Sequence, residues 1–306
     1  MVKPILKWAG GKGQLLDEIY LHFPKSFNSY HEPMMGGGAL FFNLEPANGT
    51  INDLNPRLIN FYMIVRDKPR ELIEISKTFR NPKSAPDSEG DFSQTNRKGK
   101  KVEYYFYQQR ELFNRRPNGE YFNQIQEAAL FLYLNRTCYN GLYRENLSGE
   151  FNVPIGRYKN PDWIREQRIL EASKVLKNVK IYNKGFDYIL KAAEPGDLVY
   201  FDPPYVPMSK TASFTDYNAE GFDNKKQKKL LKVAKKLDRK DVYLIISNSG
   251  IMYDFYKNEG FFVDYLQAIR SINSDPDKRG EIAEIIATNI PPNKRRGLKQ
   301  KKINSF

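Results

Sequence analysis

Four short runs rich in β-branched and aromatic residues, each bounded by polar or turn-forming residues, set the framework of the chain. They are "TIND" at 50–53, "VKIY" at 179–182, "LVYF" at 198–201 and "VYLIIS" at 242–247. Their length and composition predict buried parallel strands. Between the last two, Leu230, Val233, Ala234 and Leu237 recur at helical spacing, with lysines on the opposite face. Strand, helix and strand in this order predict a doubly wound α/β sheet. "FFVDYLQAI" (261–269) and "EIIATNI" (284–290) predict a terminal antiparallel pair. The middle of the chain is different. Residues 59 to about 137 read mostly as helix, most clearly "EAALFLYLNR" at 127–136, and the polar stretch 81–101 predicts a loop. An α/β domain interrupted by a largely helical insertion is the expected organisation, with a frayed basic tail from 291 onward and no internal repeat.

Composition narrows the class. The 306 residues suffice for one large domain with an insertion or for two ordinary ones, and 40% hydrophobic content supports a real core. No run approaches the roughly 18 apolar residues of a membrane span, and the first residues lack the apolar core of a secretory signal. A single cysteine, Cys138, excludes an intramolecular disulfide and disfavours structural zinc. His22 and His31 are too few for a histidine-based site, so no metal is expected. The net charge of +13 favours a polyanionic partner, although a solvated basic surface would produce the same excess.

Two stretches carry the chemistry. "HEPMMGGGAL" (31–40) places three glycines before a predicted helix, where the backbone can approach a ligand closely. "INDLN" then puts Asp53 at the end of the next strand, positioned to accept hydrogen bonds from ribose hydroxyls. The Walker spacing is absent and the dinucleotide fingerprint fits poorly, so the pair suggests a nucleoside cofactor, or else a structural turn. In "LVYFDPPYVP" (198–207) a buried strand runs into Asp202, then Pro203, Pro204 and Tyr205. The prolines remove two N–H groups and fix φ, leaving rigid carbonyl acceptors beside a carboxylate and a flat ring. Two acceptors and a stacking face suit the exocyclic amino group of a planar base. Accepting its hydrogens would direct the nitrogen lone pair at an electrophile. A plain Asp-Pro-Pro turn is the alternative.

"DPPY", with "EPMMGGG" and "KWAGGK" upstream, resembles the D12-class adenine-N6 DNA methyltransferases. The likeness runs from Lys7 to about Asn289 and includes "NRTCYNGLYRENLSGEFNVPIGRYKNP" (135–161), "SKTASFTDYNAEGF" (209–222), "SNS" (247–249) and "KRGEIAEIIATN" (278–289). The resemblance implies a Rossmann-like methyltransferase sheet with an inserted, mainly helical DNA-recognition domain. It divides the chain into a catalytic domain (1–58 and 163–290), a recognition domain (59–162) and a tail (291–306). It implies S-adenosyl-L-methionine as cofactor, held by Trp8, Ala9, Gly10, Lys12, Pro33, Met34, Gly36, Gly37, Gly38, Asp53, Phe186 and Asp202. Asp202, Pro203, Pro204 and Tyr205 match the catalytic motif that holds a flipped adenine. Met34-Met35 stands where family members usually carry Phe-Val or a similar pair, which puts cofactor affinity rather than reaction type in question.

Residues 135–161 are rich in groups able to reach base edges and phosphates: Arg136, Tyr139, Asn140, Arg144, Asn146, Asn152 and Arg157. Leu142 and Pro154 suit thymine methyls, Arg144 suits guanine N7 and O6, and Tyr139 suits the gap left by an extruded base. Solvated arginines and packed tyrosines are the bland alternatives. By the resemblance, this stretch is similar to the recognition loop of members methylating GATC. Lys7 then matches a contact to the outer guanine, and Arg136, Asn152, Arg157, Ser209 and Thr211 match phosphate contacts. Cys138 is expected to be structural, since methyl transfer to N6 needs no covalent enzyme intermediate. The expected partner is double-stranded DNA, the expected location the cytoplasm or nucleoid, and the expected state a monomer. The rival readings are the same chemistry at another GAT-containing site, other methyl acceptors, namely cytosine N4, RNA adenine or protein glutamine, and a catalytically silent DNA-binding relative.

Overall fold

The computed structural model describes residues 1–95, 99–115, 124–204, 224–266 and 284–297. In chain order its strands are β1 (Tyr30–Glu32), β2 (Gly49–Asn52), β3 (Ser93–Thr95), β4 (Lys101–Glu103), β5 (Lys180–Tyr182), β6 (Leu198–Phe201), β7 (Tyr243–Ser249), β8 (Phe262–Leu266) and β9 (Glu284–Thr288). Its α-helices are α1 (Leu16–Leu21), α2 (Ala39–Leu44), α3 (Pro56–Asp67), α4 (Pro69–Thr78), α5 (Tyr105–Asn114), α6 (Gln124–Thr137), α7 (Glu166–Leu176), α8 (Ile189–Ala192), α9 (Asn224–Asp238) and α10 (Tyr253–Lys257). The chain divides into two compact units. One comprises Met1–Gly11, Gly36–Glu45 and Asn55–Asn183; the other comprises Lys12–Met35, Pro46–Leu54 and Lys184–Phe306.

The second unit is α/β. It holds most of a seven-stranded, mainly parallel sheet, with the order β2-β1-β6-β7-β9-β8. β1 pairs in parallel with β2 on one side and β6 on the other, and β6 pairs in parallel with β7. β9 inserts antiparallel between β7 and β8, as the terminal pair predicted. The chain leaves β1 toward β2 and later returns to β6 on β1's other flank, so the order reverses between β1 and β6. In open α/β sheets such a reversal opens a crevice at the carboxyl ends of the strands. α9 lays Leu230, Val233, Ala234 and Leu237 against Val199, Phe201, Leu244 and Ile246, all buried, while its lysines face outward. Each of these leucine, valine, isoleucine and phenylalanine side chains contributes about 1.5–3 kcal/mol by leaving water.

β1 was not legible as a strand because its middle is polar. His31 and Glu32 are nonetheless buried. His31 Nε2 lies 3.0 Å from Asp197 Oδ2 and Nδ1 lies 2.9 Å from Thr50 Oγ1. Burial holds the His31 pKa below its ordinary value, against the raising influence of Asp197. Burial works against the Asp197 charge, but the Glu194 N–H, His31 and the Ser29 N–H outweigh it and leave the carboxyl below its usual range. A neutral ring facing a carboxylate donates through Nε2 and accepts at Nδ1, so the Thr50 hydroxyl donates to it. The Tyr188 hydroxyl, 2.7 Å from Thr50 Oγ1, donates in turn.

The first unit is mainly helical. α6 is buried on all sides from Glu127 to Thr137 and packs against α3, α4 and α5. Its one buried acid, Glu127, pairs with Arg57 at 3.6 Å, and the Arg57 guanidinium lies 3.9 Å from the centre of the Phe113 ring. Three expectations are corrected. The 81–101 stretch is not wholly loop, since Ser93–Thr95 pairs antiparallel with Lys101–Glu103. β5 is half-buried or exposed rather than buried, because Lys180 turns outward. The tail is not frayed at 291–297: Arg295 donates to the Ile290 carbonyl and to Asp264, and Arg296 to the Pro24 carbonyl. Among the described residues no helix is long and apolar enough to cross a membrane.

Candidate active site

In the second unit the residues singled out by sequence fall at the carboxyl ends of adjacent parallel strands. Pro33 and Met34 follow β1, Asp53 follows β2, and Asp202, Pro203 and Pro204 follow β6. Asp202 and Pro33 therefore flank the point where strand order reverses. The Lys12 ammonium lies 2.9 Å from Asp202 Oδ1, with the Lys12 side chain 3% and the Asp202 side chain 22% exposed. One carboxylate oxygen is thus engaged by a buried cation at the end of a buried strand. Tyr205, Ser209 and Thr211 lie outside the described residues.

A residue that sequence reasoning passed over ties these ends together. Asn52, the last residue of β2 and 1% exposed, donates to the Pro33 carbonyl and to the Lys184 carbonyl, both at 2.9 Å. Its Oδ1 accepts the Lys184 N–H at 2.8 Å. It fixes the loop after β1 relative to the segment leading to Phe186. Phe186 opens a 3-10 turn (Phe186–Tyr188) and is buried, with the Lys229 ammonium 5.2 Å from its ring centre. At the end of β7, Asn248 donates to Gln227 Oε1 at 3.2 Å and to the Tyr256 hydroxyl at 3.3 Å. The available signal was an amide at the end of an apolar strand, a costly burial unless hydrogen-bonded.

In the first unit, Trp8 stacks on Tyr143 with ring centres 5.6 Å apart and packs against the glycine loop. Gly36 has φ +49°, and a Cβ there would fall 2.8 Å from the indole, so loop and ring meet only because the side chain is missing. The Tyr62 hydroxyl donates to the Gly36 carbonyl, while Gly38, at φ +65°, caps α2. Ala9 and Gly10 are exposed.

Residues 138–155 of the same unit form an irregular hairpin. Cys138 bridges Ile155, and Glu145 bridges Phe151. The Tyr139 N–H donates to the Pro154 carbonyl at 2.8 Å, and the Asn152 N–H to the Arg144 carbonyl at 3.1 Å. Asn146 makes the turn, its Oδ1 accepting the N–H groups of Ser148 and Glu150. Arg144 and Asn146 are exposed, as are Asn140, Pro154 and Arg157, whereas Tyr139, Leu142 and Asn152 are half-buried. Arg144 Nε donates to Asn152 Oδ1 at 2.7 Å, which orients the guanidinium. Lys7 Nζ donates to the Tyr158 hydroxyl at 2.7 Å. Arg136 is 6% exposed, and burial, with Arg165 nearby, lowers its pKa to about 10. Cys138 is fully buried, its thiol pushed up to about 12 by burial. Among the described residues no group of His, Cys, Asp and Glu is placed to hold a metal ion.

The two acids after β2 and β6 and the buried Phe186 ring offer acceptors and an apolar face. They fit a cofactor carrying ribose hydroxyls, a cationic group and a flat base. Comparison with known proteins is consistent with that chemistry. The family model for D12 class N6 adenine-specific DNA methyltransferase matches residues 8–272. The chain is 40% identical over 300 residues to the type II methyltransferase M.MjaIII of Methanocaldococcus jannaschii, covering 94% of this chain and 99% of the relative. It is 38% identical over 294 residues to the type II methyltransferase M1.LlaDCHI of Lactococcus lactis subsp. cremoris, covering 94% and 95%. It is 34% identical over 291 residues to the DNA adenine methylase of Escherichia coli strain K12, covering 94% and 96%.

Proposed function

This chain belongs to the D12 class of N6 adenine-specific DNA methyltransferases, and we propose that its target is the adenine of GATC in double-stranded DNA. Its reaction is S-adenosyl-L-methionine-dependent methylation of adenine N6. The cofactor supplies an electrophilic methyl group on a sulfonium. In this reading Asp202 and the rigid carbonyl beside Pro203 accept the two amino hydrogens of an adenine turned out of the duplex, which frees the nitrogen lone pair. Lys12 holds one Asp202 oxygen in place, so the carboxylate need not reorganise when the base arrives. Tyr205 supplies the stacking face, and Asp53 accepts from the cofactor ribose. By their match to the family's motifs, Trp8, residues 33–38 and Phe186 are further cofactor-binding positions.

The observation that carries the chemistry is Asp202 at the carboxyl end of β6, beside the switch in strand order and paired with buried Lys12. The choice of GATC rests on the 139–158 segment, whose sequence resembles the loop of GATC-specific members and whose hairpin leaves Arg144 and Asn146 exposed. Residues 59–162 would then form the recognition domain, with Arg144, Leu142 and Pro154 reading base edges. Tyr139 and Asn140 would serve the position left by the adenine, and Lys7 the outer guanine. Asn152, Arg157, Ser209 and Thr211 would make the backbone contacts that set register, with Asn146 exposed at the hairpin turn to reach the same DNA. Arg136, only 6% exposed and donating to the Asp162 carbonyl, offers little surface for such a contact.

Purified protein, S-adenosylmethionine and unmethylated plasmid would test this. The product is cut with nucleases blocked by, dependent on or indifferent to adenine methylation at GATC. Protection from the first and sensitivity to the second are expected, and Asp202→Ala should give neither. Methyl incorporation elsewhere with GATC unchanged would overturn the site assignment and leave the chemistry standing.

A further inference from the structure

Asn135 lies in none of the sets that the sequence assigned, yet it is 2% exposed and makes a dense group of bonds within the first unit. Its Oδ1 accepts the Lys7 N–H at 2.9 Å, and its Nδ2 donates to the Lys7 carbonyl at 2.7 Å. The same Nδ2 donates to the Gly141 carbonyl at 3.2 Å. One amide therefore clasps both peptide groups of the residue preceding Trp8 and, through its second N–H, the loop that carries Tyr139 and Asn140. An independent contact marks the same junction. A Cβ on Gly141, whose φ is +66°, would fall 2.2 Å from the Lys7 Cβ. The two segments touch at a glycine and are bolted by an amide. The Cys138 thiol, donating toward the Leu142 carbonyl at 3.3 Å, stiffens the loop from within.

We propose that Asn135 is a specificity-positioning residue. It sets the register between the Lys7–Trp8 segment and the 139–142 loop, so that the Lys7 ammonium and the loop side chains meet the same DNA site together. This rests on the GATC reading, in which Lys7 faces the outer guanine. Asn135 itself touches no base. A serine at 135 is too short to clasp both Lys7 peptide groups. An aspartate keeps the acceptor but sets an oxygen against two carbonyl oxygens. Gly141→Ala pushes the segments apart from the other side.

The experiment measures kcat/KM on a GATC duplex and on a duplex in which the outer guanine is replaced by adenine, for the wild type, Asn135→Ser, Asn135→Asp and Gly141→Ala. The expected result is a GATC preference reduced about tenfold or more in the variants, the scale of one lost base contact. An Asn135 that only supports the fold would lower both rates by the same factor and leave the ratio unchanged. That result in every variant that folds would overturn the proposal. If one substitution prevents folding, the ratio in the others decides. A wild type with no preference for GATC overturns the underlying reading instead, and is distinguished by the first row of the measurement.

Discussion

Lys12 and Asp202 form a pair whose value lies in geometry. An ammonium with a 3% exposed side chain must be compensated, and the carboxylate 2.9 Å away does so while being held. Replacing Lys12 by Met removes the cation and, with it, the contact that holds Asp202 Oδ1. Displacements of this kind cost on the order of 10²-fold. For Lys12→Met a loss of about 10²-fold in kcat/KM is expected, measured as transfer of labelled methyl to DNA. Unchanged turnover would show that Asp202 is positioned by other groups. Cys138 makes the opposite case. Its thiol, pushed up to about 12 by burial, stays protonated at pH 8. Iodoacetamide should leave the native protein unmodified at that pH and alkylate one thiol in denaturant, and rapid native labelling would contradict this.

At the scale of the element, local rules and tertiary demands divide the work. α3 begins where local chemistry says it should. Asn55 caps it, its Oδ1 accepting the N–H groups of Arg57 and Leu58 at 3.0 and 3.1 Å, and Pro56 occupies the first turn. Asn55→Ala should cost about 1 kcal/mol, read from the midpoint of urea unfolding. A shift within error would mean that the packing of α3 on α6 alone sets its start. α6 shows the limit of periodicity. A helix buried on every side has no polar face, so length and composition had to identify it. β1 shows the converse, because its polar residues are satisfied by partners 2, 19 and 166 positions away in sequence.

At the scale of the whole molecule, charge and pH act together. The tail at 291–297 packs through Arg295, whose Nη1 lies 3.1 Å from His22 Nδ1. An arginine donates only, so His22 accepts and must be neutral. Burial, then the Arg295 charge, lower its pKa to about 4, against the pull of Asp264. The folded pKa lies below the unfolded value of 6.5, so the unfolded chain binds more protons between pH 4 and 6.5. Stability is therefore complete above pH 6.5 and is lost as pH falls through that window. His31 is lowered in the same direction, and each histidine contributes up to about 1.4 kcal/mol per pH unit. Melting temperature should fall on going from pH 7 to pH 5, and His22→Gln should flatten that dependence. An equal slope in wild type and variant would remove His22 as its source.

The sequence by itself determined the class of the fold, because strand runs at 198–201 and 242–247 and the amphipathic face of 224–238 are local patterns that burial enforces residue by residue. It also marked Asp53 and Asp202 as strand-end acids, since the end of an apolar run is visible in one dimension. Only the tertiary structure decided the rest. β1 became a central strand because Thr50 and Asp197, remote in sequence, satisfy His31. Lys12 became the partner of Asp202 across 190 positions of chain. Asn52 and Asn135 became tie points because a buried amide is tolerated only where donors and acceptors converge on it, and that convergence is a property of the folded backbone.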